Sequence, residues 1–203
     1  MTDPQAATPD IVFIGGAPGV GKTSVARPLA ARLGMDLTFV DDFYLVLERM
    51  TDPERYPSVH AWRLHPERIL ALDDDQMIEH TRSVSEVVAE AIAPVIADRL
   101  ESGVPSVFEG DFILPSFAAS SAFDGVVAGG RVGSVFLYDS EEQLATNIVA
   151  REGEEQAGRA RISWNYGQWL RTECDRYGLP AIGARPWDTA VDRALDALAR
   201  SGG

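Results

Sequence analysis

The stretch Gly16-Ala17-Pro18-Gly19-Val20-Gly21-Lys22-Thr23, followed by Ser24, constrains this chain more than any other. It fits the pattern G-x-x-x-x-G-K-[ST], and its flanks are those the pattern needs. Ahead of it, Ile11-Val12-Phe13-Ile14 is a short apolar run that reads as a strand buried on both faces. Behind it, Val25, Ala26, Leu29, Ala30 and Leu33 recur at helical spacing until Gly34 stops the pattern. Glycines permit a turn tight enough for several N–H groups to face phosphate oxygens, and the helix start adds partial positive charge. Lys22 is the only lysine; the other cationic side chains, histidines aside, are arginines. A compact ammonium enters such a loop where a planar guanidinium fits poorly. Gly16, Ala17, Pro18, Gly19, Val20, Gly21, Lys22, Thr23 and Ser24 are therefore the candidate nucleotide site. Lys22 is expected to reach the β- and γ-phosphates of ATP, and the Thr23 hydroxyl to bind Mg²⁺.

The rest of the chain alternates element types. Leu37–Val40, Ser106–Phe108, Val135–Tyr138 and Pro180–Ile182 read as further strands, and Ser83–Leu100, Ser163–Tyr177 and Asp188–Arg200 as helices. Such alternation predicts an α/β fold with a parallel sheet covered by helices on both faces. With 203 residues and 45% hydrophobic content, residues 1–203 are expected to close one core as a single domain. A net charge of -13 opposes binding to nucleic acid or an anionic membrane, both of which need a basic face. A small-molecule partner fits better. The lone Cys174, the polar start MTDPQAATPD and the lack of a long apolar run point to a cytoplasmic protein with a buried, inert thiol. Oligomeric state is not legible.

A GTP-dependent switch would carry an Asn-Lys-x-Asp motif, which a chain with one lysine placed elsewhere cannot supply. What remains is a small kinase or a non-catalytic nucleotide binder. For a kinase, Asp41 and then Asp42, at the end of the second strand, are the candidate bases that take the proton of an attacking hydroxyl. Glu109, ending the third strand, and Asp111 offer acceptor contacts. Thr23, Asp41 and Glu109 are the candidate Mg²⁺ ligands. Asp139, with Ser140-Glu141-Glu142, reads as a helix cap in preference to a metal ligand. Arg151, Arg159 and Arg161, on a glycine-containing segment at about 151–161, are candidate lid residues that neutralise the transferring phosphoryl group, with Arg171 behind them. Arg185 and Pro186 flank the adenine or simply accompany a packed Trp187. Residues 43–80, weakly periodic and rich in Pro, Trp and His around 45–66, are the candidate substrate-covering segment. There Tyr44, Trp62 and Arg63 are candidate acceptor contacts, and His60 and His65 line the pocket or pack around Pro66. His80 is expected to be exposed, and Trp164 and Trp169 to anchor the core.

The phosphate loop, Asp41-Asp42, the Glu109-Gly110-x-x-Ile113-Leu114-Pro115 segment and the arginine-containing lid together resemble the small P-loop kinases of adenylate-kinase-like fold. Residues 83–115 and the final helix-strand-helix are most similar to the 2-phosphoglycerate kinase branch. The resemblance implies a five-stranded parallel sheet in order 2-3-1-4-5, ATP and Mg²⁺ as cosubstrates, and phosphorylation of an acceptor hydroxyl. Phe112 stands where that branch has a histidine. Asp41, Asp42, Glu109 and Asp111 would crowd an anionic acceptor at a desolvation cost of several kcal/mol. The expected acceptor is therefore a neutral or amino-bearing nucleoside, sugar or antibiotic, with a 2-phosphoglycerate kinase-like activity as the alternative. Antibiotic phosphotransferases occur among these small kinases, so the resemblance also admits a role in antibiotic resistance.

Overall fold

Strand β1 (Ile11–Gly16) is buried along its whole length, and its residues feed two separate cores. Ile11 and Phe13 join one, Val12 and Ile14 the other, as a central strand covered on both faces requires. In this computed structural model, which describes residues 8–153 and 157–201, β1 leads through the glycine-rich turn into α1 (Lys22–Leu33). Gly34 caps α1 in the left-handed conformation at φ 68°.

Strand β2 (Asp36–Phe39) runs straight into α2 (Val40–Met50), so the strand ends before the predicted Val40. Asp41 and Asp42 thus lie in the first helical turn, where carboxylates complement the helix dipole. The covering segment is helical: α3 (Pro57–Leu64) and α4 (Pro66–Leu70) each open on a proline, which is tolerated where the first N–H has no intrahelical partner. Helix α5 (Asp74–Ser102) starts well before the predicted Ser83 because Asp73 and Gln76 form a reciprocal capping box. Its buried stripe, including Val84, Val88, Ile92 and Ile96, joins the core built on Phe13 and Phe108.

Strand β3 (Ser106–Glu109) is fully buried and precedes the short α6 (Pro115–Ala118). A hairpin of β4 (Ala122–Phe123) and β5 (Val126–Val127) turns at Asp124-Gly125, both with positive φ. Then come β6 (Val132–Tyr138), α7 (Glu141–Glu152), α8 (Ala157–Tyr177), β7 (Ala181–Gly183) and α9 (Trp187–Ser201). Helix α9 packs with α1 on the face opposite α5 and α8, which completes three layers.

The large sheet is parallel throughout, in the order β2-β3-β1-β6-β7. Counting only its own strands, this is the 2-3-1-4-5 order implied by resemblance; the numbering differs because the β4–β5 hairpin, absent from the strands read off the sequence, falls between the third and fourth. Register matters for the site. Glu109 pairs with both Ile14 and Phe39, which brings the carboxyl ends of three strands to one sheet edge. Among the described residues, no helix is long and apolar enough to cross a membrane.

Candidate functional site

The turn between β1 and α1 is held from outside by its carbonyls. Ala17 O accepts from Lys22 Nζ at 3.0 Å, Pro18 O from the Ser163 hydroxyl, and Gly19 O from Asn147 Nδ2 at 2.9 Å. Because a peptide plane sets C=O and N–H in opposite directions, anchoring Pro18 O on α8 turns the Gly19 N–H away from the protein. Gly21 has φ 91°, and a Cβ there would meet the Trp187 ring at 2.2 Å. Only glycine fits. A glycine-rich turn opening a helix is the kind of backbone that binds phosphate through its N–H groups and the helix N-terminus.

Lys22 is buried beside three carboxylates. Its ammonium donates to Asp111 Oδ1 as well as to Ala17 O. Burial pulls its pKa down, but Asp111, Asp41 and Glu109 together outweigh burial and hold it above the usual lysine value. Thr23 Oγ1 donates to Glu109 Oε2 at 3.2 Å. Burial raises the Glu109 pKa against the opposing pull of Lys22 and Thr23. Burial and the Asp111 charge push Asp41 up to about 7, although Lys22 and the Asp111 N–H work the other way. Asp41 Oδ1 accepts that N–H at 2.9 Å. The approach depends on Gly110, where a Cβ would lie 2.8 Å from Asp41 Oδ1 and 2.7 Å from Val40 Cβ.

These groups open into a cleft of about 510 Å³ lined by Gly19, Gly21, Lys22, Thr23, Ser24, Asp41, Glu109, Asp111, Asn147, Ala150, Arg151 and Trp187. No group of three or more His, Cys, Asp or Glu able to hold a metal occurs among the described residues. The donor set still fits Mg²⁺, which takes one or two protein oxygens and fills its shell with phosphate and water. Thr23 and Glu109 provide such oxygens at the phosphate loop.

Several predicted site residues lie elsewhere. Asp42 is exposed on α2 and does not line the cleft, because the helical turn rotates it away from Asp41. Of the lid arginines only Arg151 reaches the cleft. Arg159 is exposed outside it, and Arg161 pairs with Asp74 at 3.9 Å. Residues 154–156 of the predicted lid lie outside the described residues. Arg171 packs over the Tyr138 ring. Arg185 pairs with Asp139 at 3.3 Å, donates to Asn147 at 3.0 Å and lies over the Trp187 ring, while Pro186 O accepts from Arg193. Ser140, not Asp139, caps α7.

The covering segment, residues 43–80, contributes no residue to the lining of the cleft. Tyr44 donates to Val59 O at 3.2 Å and stacks on Phe112, Arg63 donates to buried His60, and Trp62 is exposed. Asp111, predicted as an acceptor contact, lines the cleft and pairs there with Lys22. His80 is half-buried rather than exposed, and burial lowers its pKa. Cys174 is fully buried and its pKa is pushed up to about 12, which keeps it a thiol.

Three site residues carry no motif: Asn147, Ser163 and Trp187. Asn147 stands four residues before Arg151, so both project from one face of α7; that spacing is the one signal that could have found it. A separate depression of about 620 Å³ between α7 and α8, lined by Ser140, Glu141, Glu142, Ala145, Ala160 and Trp164, holds no cationic group.

The profile of the Zeta toxin family matches residues 1–168. The chain is 30% identical over 211 residues to the 2-phosphoglycerate kinase of Methanothermobacter thermautotrophicus, an alignment covering 97% of this chain and 68% of that protein. It is 30% identical over 115 residues to the 2-phosphoglycerate kinase of Pyrococcus horikoshii, covering 54% of this chain and 37% of that one. The chain thus spans well under half the length of the Pyrococcus relative. A crystal structure of a sugar kinase from a Janibacter species matches with a TM-score of 0.58 at 17% identity, covering 96% of this chain and 98% of that one, a likeness of fold.

Proposed function

The chain belongs to the Zeta toxin family of small P-loop kinases, and on that premise we propose that it is an ATP-dependent phosphotransferase acting on the hydroxyl of a small molecule. The observation that carries this reading is the convergence of Asp41, Glu109 and Lys22 at one sheet edge, in a single cleft with the phosphate loop. The loop N–H groups and Lys22 bind the phosphates of ATP. Thr23 and Glu109 would hold Mg²⁺, which would supply charge neutralisation for the phosphates of ATP. Asp41 takes the proton from the acceptor hydroxyl and holds its oxygen toward the γ-phosphate. Arg151 adds positive charge from the α7 side.

The acceptor we propose is neutral or amino-bearing: a nucleoside, a sugar or an antibiotic built from either. Three carboxylates face the cleft against Lys22 and Arg151, and an anionic acceptor would lose water beside them with little compensation. A second reading, a 2-phosphoglycerate kinase-like activity, is favoured by 30% identity along 97% of the chain. The setting proposed is the cytoplasm, where ATP is available.

The test uses Mg-ATP labelled in its γ-phosphate and follows the label into acceptor. Transfer that Asp41→Asn abolishes while nucleotide binding persists supports the kinase reading. Binding without transfer to any acceptor would make the protein a nucleotide binder. Full transfer by the variant would remove Asp41 from the base role.

A further inference from the structure

The ion pair between Lys22 and Asp111 occupies the side chain that the phosphates of ATP require. Lys22 is buried, so its ammonium must keep an anionic partner in the nucleotide-free protein, and the adjoining carboxylate supplies one. Triphosphate oxygens and the Asp111 carboxylate cannot share that ammonium at contact distance without strong like-charge repulsion. One of them must leave.

The backbone of Asp111 is fastened on both sides. Its N–H donates to Asp41 Oδ1 at 2.9 Å, and its C=O accepts from the buried Tyr166 hydroxyl at 3.4 Å. Gly110, before it, lies against Val40 and Asp41 with no room for a Cβ. The peptide is therefore fixed, and rotation of the side chain is the freedom left. That side chain retains 26% exposure toward the cleft, against 6% for Lys22, so it has space to turn. Turning away from Lys22 while its N–H remains tied to Asp41 leaves the carboxylate on the open side of the cleft beside the base.

We propose that Asp111 is a two-position switch: the counter-ion of Lys22 before nucleotide binds, and the ligand of an acceptor hydroxyl or amino group once the phosphates have displaced it. This deepens the kinase reading and rests on it. It has two consequences. Nucleotide affinity is reduced by the need to displace Asp111, and the acceptor site is complete only after ATP has bound, so ATP favours acceptor binding and acceptor favours ATP to the same degree. An acceptor with a donor group beside its reactive hydroxyl gains from the released carboxylate, as an amino-bearing sugar or nucleoside would.

The experiment measures Mg-ATP binding by calorimetry, without acceptor, for wild type and Asp111→Asn. The variant is expected to bind about tenfold more tightly, the scale of one charge-assisted hydrogen bond no longer competing. The lysine is unique, so selective lysine labelling gives a single side-chain NMR signal that reports on Lys22 directly. This signal is expected to differ between wild type and variant without nucleotide and to coincide when both are saturated. Where Asp111→Asn does not fold, Asp111→Ser serves in its place. Equal or weaker ATP binding by the variant, or a lysine signal that still differs at saturation, overturns the switch while leaving nucleotide binding established. If neither protein binds Mg-ATP, the kinase reading fails and the switch with it; a variant that binds where wild type does not supports the switch. With acceptor present, the variant is expected to raise the acceptor KM while its ATP affinity rises, opposite movements that a merely structural role would not produce.

Discussion

Asp41 and Asp111 are joined by one hydrogen bond, from the Asp111 N–H to Asp41 Oδ1 at 2.9 Å, which ties the end of β3 to the first turn of α2. The bond holds the Asp41 carboxyl at the cleft, while burial and the neighbouring Asp111 charge raise its pKa to about 7. A carboxylate so tuned suits general-base work near neutrality. Asp41→Asn keeps an oxygen for the Asp111 N–H but cannot accept a proton. Its kcat is expected to fall by about 10²-fold or more with nucleotide affinity retained. The wild-type rate should decline as pH drops through about 7, since the base must be ionised, and the variant's residual rate should lack that limb.

The same carboxyl carries a stability cost at high pH. Its folded pKa lies above the ordinary value of 3.8, so its contribution to stability is fully present below that value and is lost as pH rises through about 7. Asp41→Asn is therefore expected to melt higher than wild type at pH 8, with the gain shrinking toward pH 5. Thermal melts across that range check it; an advantage that grows toward acid pH contradicts it.

Gly21 is held at φ 91° against Trp187. Gly21→Ala should abolish stabilisation by Mg-ATP in a thermal-shift assay and lower stability by about 1 kcal/mol or more. Adding Trp187→Ala removes the clash but not the backbone strain. The double variant is expected to remain unresponsive to nucleotide.

Arg151 lines the cleft, whereas Arg161 pairs with Asp74 at 3.9 Å on the surface. Arg151→Ala should lower kcat by about 10²-fold, in line with loss of a charge that stabilises the transferring phosphoryl group. Arg161→Ala should stay within about 0.5 kcal/mol of wild type in stability and change turnover little, because exposed ion pairs contribute little. Steady-state kinetics and melts of both variants make the comparison.

The phosphate loop was legible because its determinants are local: an apolar strand, glycines and a helix lie within 24 residues of each other along the chain. The sheet was legible for a similar reason, since β1 and β3 are continuous buried runs. Where expectation and structure part, the local signal had a second meaning. Pro57 and Pro66 suggested irregular chain but start helices, and the Asp73-x-x-Gln76 capping box marks the true start of α5. The turn Asp124-Gly125 announces a hairpin that the strand pattern, only two residues per side, does not. Within the site, Asp41, Glu109 and Arg151 could be named from strand ends and charge. The Lys22–Asp111 pair could not, because the two lie 89 residues apart and meet only through the register of β1 with β3.

The charge of the acceptor is the property on which the carboxylate-lined cleft bears most directly. ADP release from Mg-ATP should be measured across acceptors sorted by charge: phosphorylated acids including 2-phosphoglycerate, neutral nucleosides and sugars, and amino-bearing antibiotics. The carboxylate-lined cleft leads us to expect stimulation confined to neutral and amino-bearing acceptors, lost in Asp41→Asn. Stimulation by 2-phosphoglycerate above all others would contradict it, and would mean that arginines outside this cleft compensate the acceptor's charge.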